Sequence, residues 1–542
     1  MGQAKLLDCT LRDGAYLVDK HFGDTVISGV IAGLIAARID YIEIGFLQDD
    51  GFGEGKTVFK DAADAKRFIP KDKQGCEFSV LADYSRYDVN SLDACTGESI
   101  DIVRECFFKH ERFDAIRACH AIKEKGYKVF VQPVDILGYT DIELIELIEL
   151  VNQLEPYCFS IVDTFGSMYE EDLQRVYSII NHNLVPGCQI GFHSHNNMQM
   201  SSALSQSFLR MSHGKREVVV DGTISGMGRG AGNTPTELIA EYMVSKLGYH
   251  YDMNALLDII DSYMDNIRSK CSWGYTTPYF IAGCYSAHVN NVTYLTRKNS
   301  IRSKDIRYIL NKIGASARKR YHYDLLEQTY MDYLKSDIDD SEAMKQLNTA
   351  LTGRHVVVIA PGGTSAKYQE EIAAYAKEKD AVVITVNFIH DAIPSDFVYM
   401  SNTKRFAYWE HDKRFAGCPK ILTSNVTGVN SCVEHALVVS FARLVKCGWE
   451  HLDNSTIMLL RLLDETDAAS IALAGFDGYN PMMDGSANYA SPSLELSNVK
   501  DNPLELNREI EEMLVDYRNT RRKNTPIGFI TPSRFSAILE RA

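Results

Sequence analysis

Two short stretches carry residue types that hold cations and move protons. Asp8-Cys9-Thr10-Leu11-Arg12-Asp13-Gly14 follows the apolar segment 4–7 and sets an arginine beside a carboxylate. Far downstream, Ile190-Gly191-Phe192-His193-Ser194-His195-Asn196 offers two imidazoles spaced i, i+2. Alternate side chains of a strand share a face, so His193 and His195 are expected to point the same way. One carboxylate and two imidazoles at the ends of inward-facing strands make a divalent-metal site with open positions. The glycine-rich stretch 221–233 lets backbone approach a bound anion or metal, and Asn233 at its end can add an oxygen ligand. Glu43, inside Tyr-Ile-Glu-Ile-Gly, and the pair Asp163-Thr164 are further polar residues where a purely structural strand needs none.

Elements able to gather these residues are legible in the pattern. Eight β-rich runs, at 5–8, 41–46, 77–81, 100–104, 128–133, 159–164, 189–193 and 218–222, alternate with amphipathic helical segments. The clearest helix spans 141–154, where Thr140 and Glu143 have capping-box spacing ahead of a Leu/Ile stripe. Eight such units over residues 1–250 is the count for a (β/α)8 TIM barrel, whose chemistry sits at the C-terminal strand ends. The strand ends named above would then converge on one barrel mouth.

Composition narrows the class. A chain of 542 residues implies two or three domains, and a net charge of −15 argues against nucleic acid or an anionic membrane surface as partner. No apolar run approaches the roughly 20 residues of a membrane span, and a strand starting so near residue 1 leaves no room for a signal peptide. Twelve scattered cysteines without a CxxC pair read as reduced thiols of a cytoplasmic protein rather than a disulfide framework or zinc ribbon.

Together 8–14, His193-Ser194-His195-Asn196 and 226–233 resemble the metal-dependent TIM-barrel lyase and aldolase superfamily typified by hydroxymethylglutaryl-CoA lyase, nearest its 4-hydroxy-2-oxovalerate aldolase branch. The resemblance covers roughly residues 3 to 290. It implies that Asp13, His193 and His195 bind a divalent metal, with Asn233 a fourth ligand, and that Arg12 polarises the substrate carbonyl. Mn or Mg is the expected ion, since carboxylate and carbonyl substrates favour hard cations, with Zn and Co the alternatives. The loop 226–233 lacks the cysteine that the hydroxymethylglutaryl-CoA lyases carry there. Gly274-Tyr275-Thr276-Thr277-Pro278-Tyr279 resembles an aldolase segment that folds a tyrosine over the barrel mouth, which places Tyr275 and Tyr279 near substrate. Where the aldolases carry a histidine base, this chain has Tyr16, so Tyr16 or His21 is expected to move the proton. Glu43, Asp163 and Thr164 are expected to line the pocket. The family also makes 251–345, rich in aromatics such as Trp273 and Tyr285, a helical extension packed on the barrel.

A second domain is expected over 353–542, after the acidic stretch 335–342. His355-Val356-Val357-Val358-Ile359 is a buried strand leading into Gly362-Gly363-Thr364, a candidate anion cradle in a Rossmann-like α/β sheet. GxGxxG is absent, so no dinucleotide is indicated. With Asp477 after a late strand, the turn resembles domains that handle a nucleotide or nucleotide-sugar. The expected activity is cleavage or formation of a 4-hydroxy-2-oxo acid through a metal-bound pyruvate-type enolate, by a homo-oligomer. An acyl-CoA-dependent Claisen synthase resembling isopropylmalate synthase is one alternative. A nucleotide-sugar-binding or transferase protein of surface-polysaccharide synthesis, with an accessory barrel, is the other.

Overall fold

The computed structural model describes residues 4–298, 301–335, 338–427, 436–446, 448–449, 451, 453–480, 482, 488–494 and 502–539. Two compact units emerge: Met1–Val292 with Arg318–Arg320, and Thr293–Ala317 with Tyr321–Ala542. The helices expected over 251–345 are thus shared between the units.

The first unit is a closed parallel barrel. Its strands are β1 (Ala4–Asp8), β2 (Tyr41–Leu47), β3 (Glu77–Asp83), β4 (Ile102–Phe107), β5 (Lys128–Pro133), β6 (Cys158–Asp163), β7 (Gln189–Ser194) and β8 (Val218–Gly222). Neighbours pair in sequence order, and β1 closes the ring by pairing β2 (Leu7↔Tyr41) and β8 (Ala4↔Val218). β5 and β8 fall where the pattern put them, while β4 begins two residues later than expected, at Ile102. A two-residue strand at Val58–Phe59 also pairs β2 beside a register shift between Glu43 and Phe46. Gly45 sits at that bulge with φ 152°, and a Cβ there would lie 2.1 Å from the Thr57 carbonyl oxygen. Only glycine allows this approach, which bends β2 just beyond Glu43.

Period-two alternation sorts the strand residues into layers. One set, including Leu6, Ile42, Val103, Val129, Phe159, Phe192 and Val220, packs outward against the helices. The helix Asp141–Leu154 contributes Leu144, Leu147, Ile148, Val151 and Leu154 to the buried core of this unit. Its start is fixed as the spacing predicts: the Thr140 hydroxyl accepts from the Glu143 amide (3.3 Å), and Glu143 accepts from the Thr140 amide (2.8 Å). The inward set begins with an apolar plug of Leu7, Tyr41, Ile102, Phe130 and Val219. Two positions on along the same faces the residues turn charged: Tyr41 is followed by Glu43, Ile102 by Arg104, Val219 by Asp221 and Gly191 by His193. A charged storey therefore stands on an apolar floor, at the C-terminal end of the barrel.

The second unit is built on an open parallel sheet. Its strands are β9 (His355–Ile359), β10 (Val382–Val386), β11 (Phe397–Met400), β12 (Lys420–Thr423), β13 (Ala436–Val439), β14 (Ser470–Ala474) and β15 (Ile527–Phe529). The order β13-β12-β11-β10-β9-β14-β15 reverses beside β9, as in doubly wound α/β sheets. Of the acidic stretch 335–342, Ser336 and Asp337 lie outside the described residues, and Ser341 opens a helix, Ser341–Leu351. Among the described residues no helix is long and apolar enough to cross a membrane.

Candidate metal centre

Arg12 and Asp13 lie on a single helical turn, Thr10–Asp13, that follows β1, and both are buried. His193 is on β7, and His195 stands just past its end, bridged to Asn233. The two imidazoles are perpendicular with ring centroids 5.0 Å apart. His193 Nε2 and His195 Nε2 lie 3.5 and 4.0 Å from Asp13 Oδ2, and one ligand atom from each of the three residues falls within 4.8 Å of the others. Residues some 180 positions apart in sequence thus share one point at the barrel mouth.

A closed ring of ionic contacts holds this point. Arg12 donates through Nε to Glu43 Oε2 (2.7 Å) and through Nη1 to Asp13 Oδ2 (2.5 Å). Arg104 donates through Nη1 to the same Glu43 oxygen (3.0 Å) and through Nη2 to Asp221. Asp221 in turn accepts from His193 Nδ1 at 3.0 Å, which brings the ring back to Asp13. Carboxylate-to-imidazole support of this kind sets the tautomer and aims the second nitrogen. Burial would raise the Asp13 carboxyl, but Arg12 and the two imidazoles outweigh it and hold it well below the ordinary carboxylate range. Burial likewise opposes ionisation of Asp221, and Arg104 overcomes it. Burial pushes His195 down to about 4, against the pull of Asp13, so it stays neutral and able to ligate.

Among the residues able to ligate a cation, two buried acceptors have no hydrogen-bond partner, Asp13 Oδ1 and Asn233 Oδ1. The Asn233 amide nitrogen is spent on the Met227 carbonyl (3.2 Å), which leaves its oxygen free to face a ligand. Gly228 packs against the same pair: a Cβ there would lie 3.0 Å from Asp13 Oδ1 and 2.3 Å from Asn233 Nδ2. Orphaned anionic and carbonyl oxygens beside two imidazoles fit a divalent cation, which would satisfy both. Asp13, His193, His195 and Asn233 are the residues able to hold it.

Other expected site residues fall elsewhere or do other things. Glu43 Oε2 lies between the two arginines and fixes Arg12, while its Oε1 is buried without a hydrogen-bond partner. The Asp163 carboxylate accepts from the Ser167 and Met168 amides (2.9 and 3.4 Å), and Thr164 Oγ1 accepts from the Asp135 amide (2.7 Å), so both are spent on loop geometry. Burial pushes Asp163 up to about 7. Tyr16 sits one turn past Asp13 with its ring on Phe46 (5.4 Å), and burial raises its phenol, which makes it a poor standing base. His21 is exposed and pairs with Lys56 through an isolated bridge, outside the cluster. Tyr275 is exposed and Tyr279 half-buried on the helix Thr277–Cys284, and neither is tied to the cluster. Arg104 and Asp221, which the sequence reading passed over, close the ring.

In the second unit the Gly362-Gly363-Thr364 turn is already filled. Asp477 accepts from the Thr364 amide (2.8 Å) and from its hydroxyl, and a Cβ on Gly362 would lie 2.7 Å from Asp477 Oδ2. A carboxylate of the chain itself stands where a phosphate would sit, so this turn is not an open cradle.

Part of this chain is similar to known proteins. Among curated proteins, 4-hydroxy-2-oxovalerate aldolase from Moorella thermoacetica is 26% identical over 313 residues, covering 56% of this chain and 89% of that protein. The enzyme of the same name from Thermomicrobium roseum is 25% identical over 349 residues, covering 61% and 92%. Among solved structures, the HMG-CoA lyase from Bacillus subtilis aligns at 18% identity with a TM-score of 0.40, covering 49% of this chain and 93% of that one. The HMGL-like family model matches residues 3 to 262, the span that holds the barrel, so over that span this chain is similar to the HMGL-like TIM-barrel lyases and aldolases.

Proposed function

We propose that this chain is a divalent-metal-dependent aldolase that cleaves or forms a 4-hydroxy-2-oxo acid. The observation that carries the reading is the Asp13–His193–His195 cluster, with orphaned Asp13 and Asn233 oxygens, held under a fixed arginine. The resemblance to curated 4-hydroxy-2-oxovalerate aldolases supports the substrate class.

Breaking a carbon–carbon bond next to a 2-oxo acid leaves an enolate, and the barrier is the cost of that charge. A divalent cation at these residues would supply Lewis-acid polarisation of the 2-oxo group. Arg12 adds a fixed positive charge, held in place by Glu43 and Asp13 so that little reorganises as the enolate develops. Asp221 keeps His193 aimed at Asp13. Tyr16, kept neutral by burial, acts as a proton donor rather than as a standing phenolate.

Metal analysis of the purified protein, followed by a screen of 4-hydroxy-2-oxo acids for pyruvate release, tests the reading. EDTA should abolish cleavage and Mn should restore it. Asp13→Asn should lower kcat by on the order of 10²- to 10³-fold, the size of losing one preorganised electrostatic group. Cleavage that survives exhaustive chelation would point instead to a lysine Schiff base.

A further inference from the structure

The barrel mouth holds positive charge that its own carboxylates do not neutralise. Arg229 lies on the loop after β8, and its guanidinium carbon sits 3.5 Å from the centre of the Tyr16 ring. It makes no ion pair with any described residue. Its backbone is clamped on both sides. Gly228 abuts Asp13 and Asn233, while Gly230 has φ 64° and precedes Ala231, whose amide donates to Asn197 Oδ1 at 3.0 Å. Lys20 stands over Phe46, the ring on which Tyr16 packs (5.0 and 5.4 Å), and its ammonium donates to a neutral oxygen, Gln48 Oε1, at 2.7 Å. Arg86 is the other cation bearing on Lys20, and its guanidinium is drawn to Asp83 at 3.6 Å. Burial pushes the Lys20 ammonium down, and Arg86 and Arg229 push it the same way, against a weaker pull from Asp50 and Asp19.

Arg12 cannot be the partner for an additional anion, since Glu43 and Asp13 already take its Nε and Nη1. Two cations, neither of them ion-paired with a described carboxylate, beside a partly dehydrated site repel one another, a cost that an arriving anion removes. An arginine with its planar fork free and its face on an aromatic ring is suited to bind carboxylate or phosphate.

We propose that Arg229, with Lys20 beside it, is a subsite for a second anionic group, so that the substrate fragment beyond the scissile bond ends in a carboxylate or a phosphate. The proposal rests on the aldolase reading and sharpens it, because the substrate named in the curated relatives, 4-hydroxy-2-oxovalerate, ends in a methyl group. In the condensing direction pyruvate loses a C3 proton and C3 bonds to the aldehyde carbonyl carbon. The aldehyde oxygen takes up a proton to become the 4-hydroxyl, so no oxidant or reductant is needed.

The test uses the full chain loaded with Mn. Exchange of the pyruvate C3 protons with D2O, followed by NMR, examines the aldolase reading by itself. Condensation of pyruvate with acetaldehyde, glyoxylate and glycolaldehyde phosphate then compares a methyl, a carboxylate and a phosphate at the distal end. One anionic aldehyde should exceed acetaldehyde in kcat/KM by roughly ten- to a hundredfold, the worth of one charge-assisted contact, and the better of the two identifies the anion. Arg229→Gln should bring that ratio to within about threefold of unity, and Arg229→Lys should keep part of it. A preference for acetaldehyde, or a loss in Arg229→Gln that is equal for all three aldehydes, overturns the subsite while leaving the aldolase standing. Absence of C3 exchange sinks the aldolase reading, and the subsite with it.

Discussion

Asp221 shows how one residue that touches no reactant can govern the centre. Its carboxylate accepts from Arg104 and from His193 Nδ1, which leaves His193 Nε2 turned toward Asp13. Asp221→Asn keeps the shape but removes the charge that binds both partners. Affinity for Mn should fall roughly ten- to a hundredfold, the usual effect of losing such outer support, with the far-UV circular dichroism unchanged. Counting free Mn by EPR during a titration measures it, and an unaltered affinity would remove Asp221 from the account. His193 and His195 were readable because strand alternation predicts a shared face from spacing alone, whereas Asp13, expected at a strand end, stands on the helical turn after β1. Asp221 and Arg104 were not, since they meet 117 positions apart, and only barrel register selects that pairing. Asp163 and Thr164 misled for the converse reason: a polar strand end looks the same whether it faces a pocket or caps a loop, and here both cap loops.

At the scale of elements, β4 carries an arginine and a glutamate with opposite fates. Arg104 points into the barrel, where Glu43 and Asp221 compensate it, while Glu105 points outward and is fully buried with neither oxygen hydrogen-bonded. Burial, with Asp83 and Glu111 adding repulsion, raises the Glu105 carboxyl well above its ordinary value. An acid whose folded value lies above its unfolded one keeps the fold at full stability below the unfolded value, near 4.3. Stability then falls, by about 1.4 kcal/mol per pH unit, until the folded value is passed. Glu105→Gln cannot ionise, so its advantage over the wild type should be nil near pH 4 and grow as pH rises. Urea midpoints across pH 4 to 8 test this, and parallel curves would show that Glu105 is hydrated in solution. The sequence placed β4 two residues early, at 100–104, because Ile100 and Ile102 both suit a strand and only pairing with β3 and β5 decides between them. Helix Asp141–Leu154 was placed to the residue, since a capping box is a local signal.

For the whole molecule the two compact units differ in how openly the sequence announces them. Eight parallel strands recur around the barrel, most of them followed by an α-helix, so misplacing one strand leaves the count and the closure intact. The second sheet lacks that redundancy. β12 and β13 have four residues each and β15 has three, too short for a hydrophobic pattern to separate them from loops. The Gly362-Gly363-Thr364 turn had the composition of an anion cradle, and only the fold shows Asp477 inside it. Each unit has its own buried core, so each should melt as its own cooperative transition. A cation held by Asp13, His193 and His195 binds the folded barrel alone, and at a hundredfold excess over Kd it should add about 2.7 kcal/mol to that unit. For a unit of this size the gain corresponds to a rise of roughly 4 °C in one Tm. Differential scanning calorimetry with and without Mn should therefore show one transition moving and the other fixed. Asp13→Asn should hold both in place. A single transition that moves as a whole would mean that the two cores unfold as one, and a metal-independent pair would place the cation elsewhere.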